Sequence, residues 1–142
     1  NQYGLRKRIK IICSGKLITP AGVAWALCMG TDFVTSARGF MFSLGCIQAL
    51  QCNKNTCPTG ITTHNKKLQH GLDPTIKSER VANYAKNMVY EVGVISHSCG
   101  VTEPRKLKRL HARLVGANGF SESLADIHPY PDIEQIELLE TD

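Results

Sequence analysis

Apolar residues fall first into two short β-branched runs and then into a helical rhythm. Ile9 to Cys13 (I-K-I-I-C) forms the first run, leading into Ser-Gly-Lys, and Asp32 to Ser36 (D-F-V-T-S) forms the second. Between them, T-P-A-G-V-A-W-A-L-C-M-G carries Thr19 as an N-cap, Pro20 at the first helical position and Gly30 as a stop, which predicts a helix. Two strands joined by such a helix make a parallel, right-handed βαβ unit of the α/β class. A unit of that kind has two faces to cover and is not a finished domain. From Gly45 to Leu72 neither period persists, so an ordered loop is expected, of a length that usually carries function. Helical spacing resumes at Asp73-Pro74 through Ile76, Val81, Tyr84, Ala85, Met88, Val89, Val92 and Ile95, ending at Gly100. A second helix is predicted from Thr102 to about Val115, with Leu107, Leu110 and Leu114 on one face. The remainder reads as extended or loosely docked.

Composition narrows the class. With 42% hydrophobic and 20% charged residues, the 142-residue chain has the balance of one soluble globular domain. Its longest apolar run is far below the ~20 residues a membrane helix needs, and its first residues do not have the form of a signal peptide. They lack an initiator Met, so a fragment or a processed chain is expected. All 17 Lys and Arg lie at or before Arg113, whereas residues 116–142 hold seven acids and no base. A basic body with an acidic tail raises nucleic-acid binding, and the segment P-R-K-L-K-R-L-H-A-R-L after a helix invites a helix-turn-helix reading. The basic residues are dispersed rather than grouped with aromatics, so a solvated surface that also meets an anionic cofactor or acidic partner is preferred, and no nucleic acid is expected as a partner.

Six cysteines in a chain with a buried βαβ unit read as cytosolic thiols, not as a disulfide framework. Cys13, Cys28 and Cys99 sit where small hydrophobes sit. Cys46, Cys52 and Cys57, separated by five and four residues, crowd into the aperiodic segment instead. Their thiolates suit zinc or an iron–sulfur cluster. Zinc requires a fourth ligand, with His64 or His70 as candidates; a cluster accepts irregular spacing, and Pro58 after Cys57 matches the Cys-Pro ending of ferredoxin runs. A second site is suggested by Ser14-Gly15-Lys16 and Ser36-Ala37-Arg38-Gly39, which follow the two parallel strands. Glycines there let backbone N–H groups approach an anion, and Lys16 or Arg38 adds positive charge.

The run from Ile9 to Ile61, including Gly45-Cys46, Cys52, Cys57-Pro58 and Gly60, resembles the end of the FMN-binding synthase domain of glutamate synthase, of the large-subunit type and its shorter stand-alone relatives. The likeness is close over Leu5 to Thr62 and looser over 76–115. It implies the last βα units of a TIM-type β/α barrel over residues 1–45, an iron–sulfur loop over 46–72, a helical segment over 73–117 and an acidic extended tail over 118–142. By the same resemblance, Ser14, Gly15 and Lys16 with Ala37, Arg38 and Gly39 would cradle the FMN phosphate, and Cys46, Cys52 and Cys57 would hold a 3Fe-4S cluster. The implied reaction is reductive: 2-oxoglutarate and ammonia, combined as an imine, accept a hydride from reduced FMN to give glutamate in the cytoplasm. A complete barrel needs about 250 residues, so the remainder of the barrel is an expected partner and no catalytic residue is assigned. The ammonia source (free ammonia or glutamine) and the electron donor (ferredoxin or an NADPH-dependent subunit) stay open.

Overall fold

The computed structural model describes residues 5–130. After a 3-10 turn at Leu5–Lys7, strand β1 (Ile12–Cys13) and strand β2 (Phe33–Val34) pair in parallel, Ile12 opposite Phe33 and Cys13 opposite Val34. Helix α1 (Pro20–Cys28) joins them. Its start is built as predicted: Thr19 accepts a hydrogen bond from the Gly22 N–H at 3.3 Å and Pro20 opens the first turn. At its end Gly30 takes φ +100°, a left-handed backbone that few side chains tolerate. The pairing is stapled by Asp32. Its carboxylate accepts from the Ile11 N–H at 2.8 Å and from Arg6 at 2.9 Å, while the Asp32 N–H donates to the Ile11 carbonyl at 3.0 Å.

Both strands are shorter than the five-residue runs that the sequence offers, because each has one neighbour and the sheet stops at two strands among the described residues. Ile12 is left 64% exposed and Phe33 47%. The α/β class thus stands, with one side of the unit uncovered.

Helix α2 (Ala37–Ser43) follows β2 directly, and a short helix α3 (Lys66–Gln69) precedes the long α4 (Pro74–Ser98). Asp73 caps α4 by accepting from the Thr75 N–H at 2.9 Å. Small residues on α1 let α4 come close: Ala24, Cys28 and Leu107 form the buried centre, surrounded by Leu27, Ile95, Cys99, Val101 and Ala112. Cys28 and Cys99 therefore do pack as small hydrophobes. Burial, helped by the nearby Cys99 thiol, raises the Cys28 pKa. On α4 the inward stripe contains Val92 and Ser96, while Ile76 and Val89, counted with that stripe in the sequence, are exposed. No helix among the described residues is long and apolar enough to cross a membrane.

The second predicted helix does not form. Residues 102–115 make two 3-10 turns, Pro104–Lys106 and Arg109–His111, and then strand β3 (Arg113–Val115), which pairs antiparallel with β4 (Ser121–Ser123). Five cations with one acid would set like charges one turn apart on a helix, which is unfavourable. The three leucines also part company: Leu107 is buried, whereas Leu110 is 58% exposed. The reversal is made by Gly116-Ala117-Asn118-Gly119, where the Gly116 N–H donates to the Phe120 carbonyl at 2.8 Å. Without a second helix, the helix-turn-helix reading has no recognition element.

The expected tail needs a similar correction over its described part. Residues 121–127 form β4 and a short helix α5 (Leu124–Ile127), and Leu124 is 1% exposed. Residues 131–142 of that expected tail lie outside the described residues.

Two outcomes follow from this packing. Leu124→Ala should lower the unfolding free energy by about 2–5 kcal/mol in a denaturant titration, the cost of a cavity at a buried leucine; a loosely docked segment would show almost none. Asp32→Asn should lower the thermal midpoint at neutral pH. The Ile11 N–H, followed by Arg6, lowers the Asp32 pKa, so the advantage of the aspartate is complete above the ordinary carboxylate range and is lost as the pH falls through the folded value.

Candidate functional site at the cysteine loop

Parallel pairing sends both strand ends to the same edge, and an open cleft of about 630 Å3 lies there. Ser14, Gly15 and Lys16 from the first loop line it, as do Ala37 and Arg38 from the second. Gly15 and Lys16 both hold left-handed backbone, φ +107° and +56°, which is costly for lysine. Among the described residues, Lys16 and Arg38 are the cleft's charged groups and no acidic residue lines it. The electrostatics favour an anion.

Gly39 is placed differently from its five partners. It is buried inside α2 and does not line the cleft. A Cβ there would overlap the hydroxyl of Tyr84, so this glycine makes room for a tyrosine on α4. Sequence reading counted Tyr84 only as one of the helix's apolar positions; the usable signal was its polar tip.

The three cysteines converge on the same cleft. Cys46, Cys52 and Cys57 all line it, and each is a free thiol. The chain reaches them through α2, which Gly45 follows with φ +101°; the Cys46 N–H then donates to the Met41 carbonyl at 3.0 Å. Beyond it the loop holds left-handed backbone at Gln48, Leu50 and Asn55, with a 3-10 turn at Cys52–Lys54. Asn55 suits that conformation better than glutamine or leucine does.

Hydrogen bonds, not a hydrophobic core, hold this segment. Asn55 is gripped twice from the far side: its carbonyl accepts from the Thr63 hydroxyl at 2.7 Å, and its side-chain oxygen accepts from the His64 N–H at 2.6 Å. Gln69 on α3 donates to the Thr63 carbonyl at 2.9 Å. Gly60 is packed so tightly that a Cβ would overlap the Leu68 carbonyl. The predicted ordered loop is therefore a buckle closed by α3.

Cys57 has the most developed surroundings. Its sulfur lies 3.4 Å from the Thr59 hydroxyl. That contact, followed by the Thr62 backbone N–H, outweighs burial and lowers the thiol pKa to about 6. The Thr62 hydroxyl oxygen, also buried, has no hydrogen-bond partner among the described residues. This is a wall that favours a thiolate, the form in which cysteine binds metal.

Among the described residues, no three His, Cys, Asp or Glu side chains stand close enough to hold one metal ion. Neither His64 nor His70 lines the cleft. A single zinc needs its ligands within one coordination sphere, whereas a cluster takes each thiolate on a different iron. The all-sulfur donor set spread around one cleft fits the second arrangement.

The family model described as a conserved region in glutamate synthase matches residues 1–102, a stretch that contains both loops, the three cysteines and α4. The chain belongs to the glutamate synthase family. Among relatives in that family, the glutamate synthase large subunit-like protein YerD of Bacillus subtilis is 46% identical over 110 residues, covering 78% of this chain and 21% of that protein. The archaeal glutamate synthase [NADPH] of Methanocaldococcus jannaschii is 32% identical over 126 residues, covering 89% of the chain and 24% of that protein. The glutamate synthase [NADPH] large chain of Bacillus subtilis is 32% identical over 91 residues, 63% of this chain and 6% of its own. The chain thus spans about a quarter or less of these relatives in the glutamate synthase family. No solved structure matches it.

In metal-free protein, the ultraviolet absorbance of the Cys57 thiolate should rise through a midpoint of about 6, against about 8.5 for an ordinary thiol. Thr59→Val should move that midpoint upward. Because the folded pKa is the lower one, the stabilisation by this thiolate is complete above the unfolded value and disappears as the pH falls through about 6.

Proposed function

We propose that this chain carries the cluster ligands and phosphate loops of an FMN- and iron–sulfur-dependent, glutamate synthase-like oxidoreductase that reductively aminates 2-oxoglutarate to glutamate. The observation that carries the reading is one cleft lined by two βα loops, two cations, three free thiols and, among the described residues, no acid. FMN, when bound, supplies hydride transfer, and a cluster supplies single electrons.

The residues of this chain bind and orient. Ser14, Gly15, Lys16, Ala37 and Arg38 would hold the FMN phosphate, with Gly39 behind them leaving room for Tyr84. Cys46, Cys52 and Cys57 would hold a 3Fe-4S cluster. Donors around the Cys57 sulfur stabilise its thiolate, and the buckle at Asn55 and Thr63 fixes the span between Cys52 and Cys57. Groups that grip 2-oxoglutarate and the flavin ring would come from earlier barrel strands.

The uncovered face at Ile12 and Phe33 supports a remaining part of the barrel as the partner that completes the sheet. Ammonia, free or from glutamine, is the nitrogen donor. Electrons come from ferredoxin or an NADPH-dependent subunit, and the NADPH in the relatives' names favours the latter. Six free cysteines accord with a cytoplasmic protein.

The test is iron, zinc and acid-labile sulfide analysis, with EPR, on the complete protein purified without oxygen. About three irons per chain with sulfide, lost in Cys52→Ser, is the expected result. One zinc without sulfide would overturn the cluster reading.

A further inference from the structure

Tyr84 stands on the middle of α4, outside the cleft, and its hydroxyl reaches both loops from behind. It donates to the Ile18 carbonyl at 2.9 Å, just after the first loop. It also lies 2.8 Å from the Ser36 hydroxyl, at the start of the second. Ser36 in turn donates to the Leu17 carbonyl at 2.5 Å, so one chain of polar contacts ties the two βα units together.

Three further observations show that this position is built. The Tyr84 ring meets the Phe40 ring edge-on, with centroids 5.0 Å apart and planes at 86°, which fixes where the hydroxyl points. Gly39 vacates the space that the hydroxyl fills. Ser36, although at the N-cap of α2, makes no side-chain capping bond and spends its hydroxyl on this network instead.

Proton counting defines the linkage. Two hydroxyl protons serve three contacts, so at any instant either Tyr84 donates through Ser36 to Leu17, or Ser36 donates through Tyr84 to Ile18, or each hydroxyl donates to its own carbonyl. When Ser36 donates through Tyr84, the tyrosine bridges the two units itself; in the other two arrangements Ser36 joins them through Leu17 and Tyr84 braces one end.

We infer that Tyr84 is a positioning residue that locks the Ser14–Lys16 and Ser36–Arg38 loops into one phosphate-holding arrangement. The inference rests on the reading that the cleft takes FMN through its phosphate. Tyr84 touches no ligand itself, because it does not line the cleft. Its removal should therefore weaken recognition of the phosphate while leaving recognition of the ring.

The experiment measures dissociation constants of FMN and of riboflavin, which lacks the phosphate, by flavin fluorescence with the complete apoprotein and its Tyr84→Phe variant. Phenylalanine keeps the edge-on contact with Phe40, and the thermal midpoint checks that the variant folds. FMN affinity should fall about tenfold, the loss expected for one or two net hydrogen bonds, with riboflavin affinity unchanged. An equal loss for both ligands would overturn the positioning role in favour of general damage, and unchanged FMN affinity would overturn it outright. Wild-type protein that binds FMN no better than riboflavin would instead overturn the phosphate reading, and the inference with it.

Discussion

The parallel register of β1 and β2 fixes where every group of the cleft can be, because strands that run the same way deliver their following loops to one edge. An antiparallel pair would have sent Ser14–Lys16 and Ser36–Arg38 to opposite ends. Only two residues of each strand are paired, so the register depends on bonds outside the ladder. Asp32 supplies them: its carboxylate takes the Ile11 N–H and Arg6, and its carbonyl accepts from Arg105 at 3.1 Å. Arg105 also stacks on the Phe33 ring, 5.1 Å from its centroid, so the turn after α4 is tied to the second strand.

The cysteine segment obeys a different logic. It buries few apolar side chains, and it pays for left-handed backbone at Gln48 and Leu50, where neither residue gains from it. Such strain persists only where the surroundings over-determine the conformation, and it collects at ligand sites. Asn55, Thr63, His64, Gln69 and the Gly60 packing over-determine the half from Cys52 onward. The half of the segment between Cys46 and Cys52, where Gln48 and Leu50 lie, has no comparable set of bonds from α3.

Much of this was legible before the fold was known. Thr19, Pro20 and Gly30 bracketed α1 because capping chemistry is local, and Asp73-Pro74 announced α4 for the same reason. The thiol spacing picked out Cys46, Cys52 and Cys57 since no apolar pattern accounted for them. The second helix failed because leucines three and four residues apart can also arise in turns, and charge repulsion and the Gly-Ala-Asn-Gly reversal oppose a helix there. Gly39 and Tyr84 were illegible in another sense. Their relation is a tertiary contact between α2 and α4, and no local pattern records that a glycine is leaving room for a hydroxyl forty-five positions later.

The family match ends at residue 102, yet the hydrophobic centre does not. Leu107 closes over Ala24 and Cys28, and Leu124 anchors to the Ala112 carbonyl through its N–H at 2.9 Å. The conserved region and the unit of folding therefore have different borders. A boundary drawn where that conserved region stops would slice through the core and strip the lid from α1, and the loops that α1 and α4 position would lose their footing while every cleft-lining residue was still present.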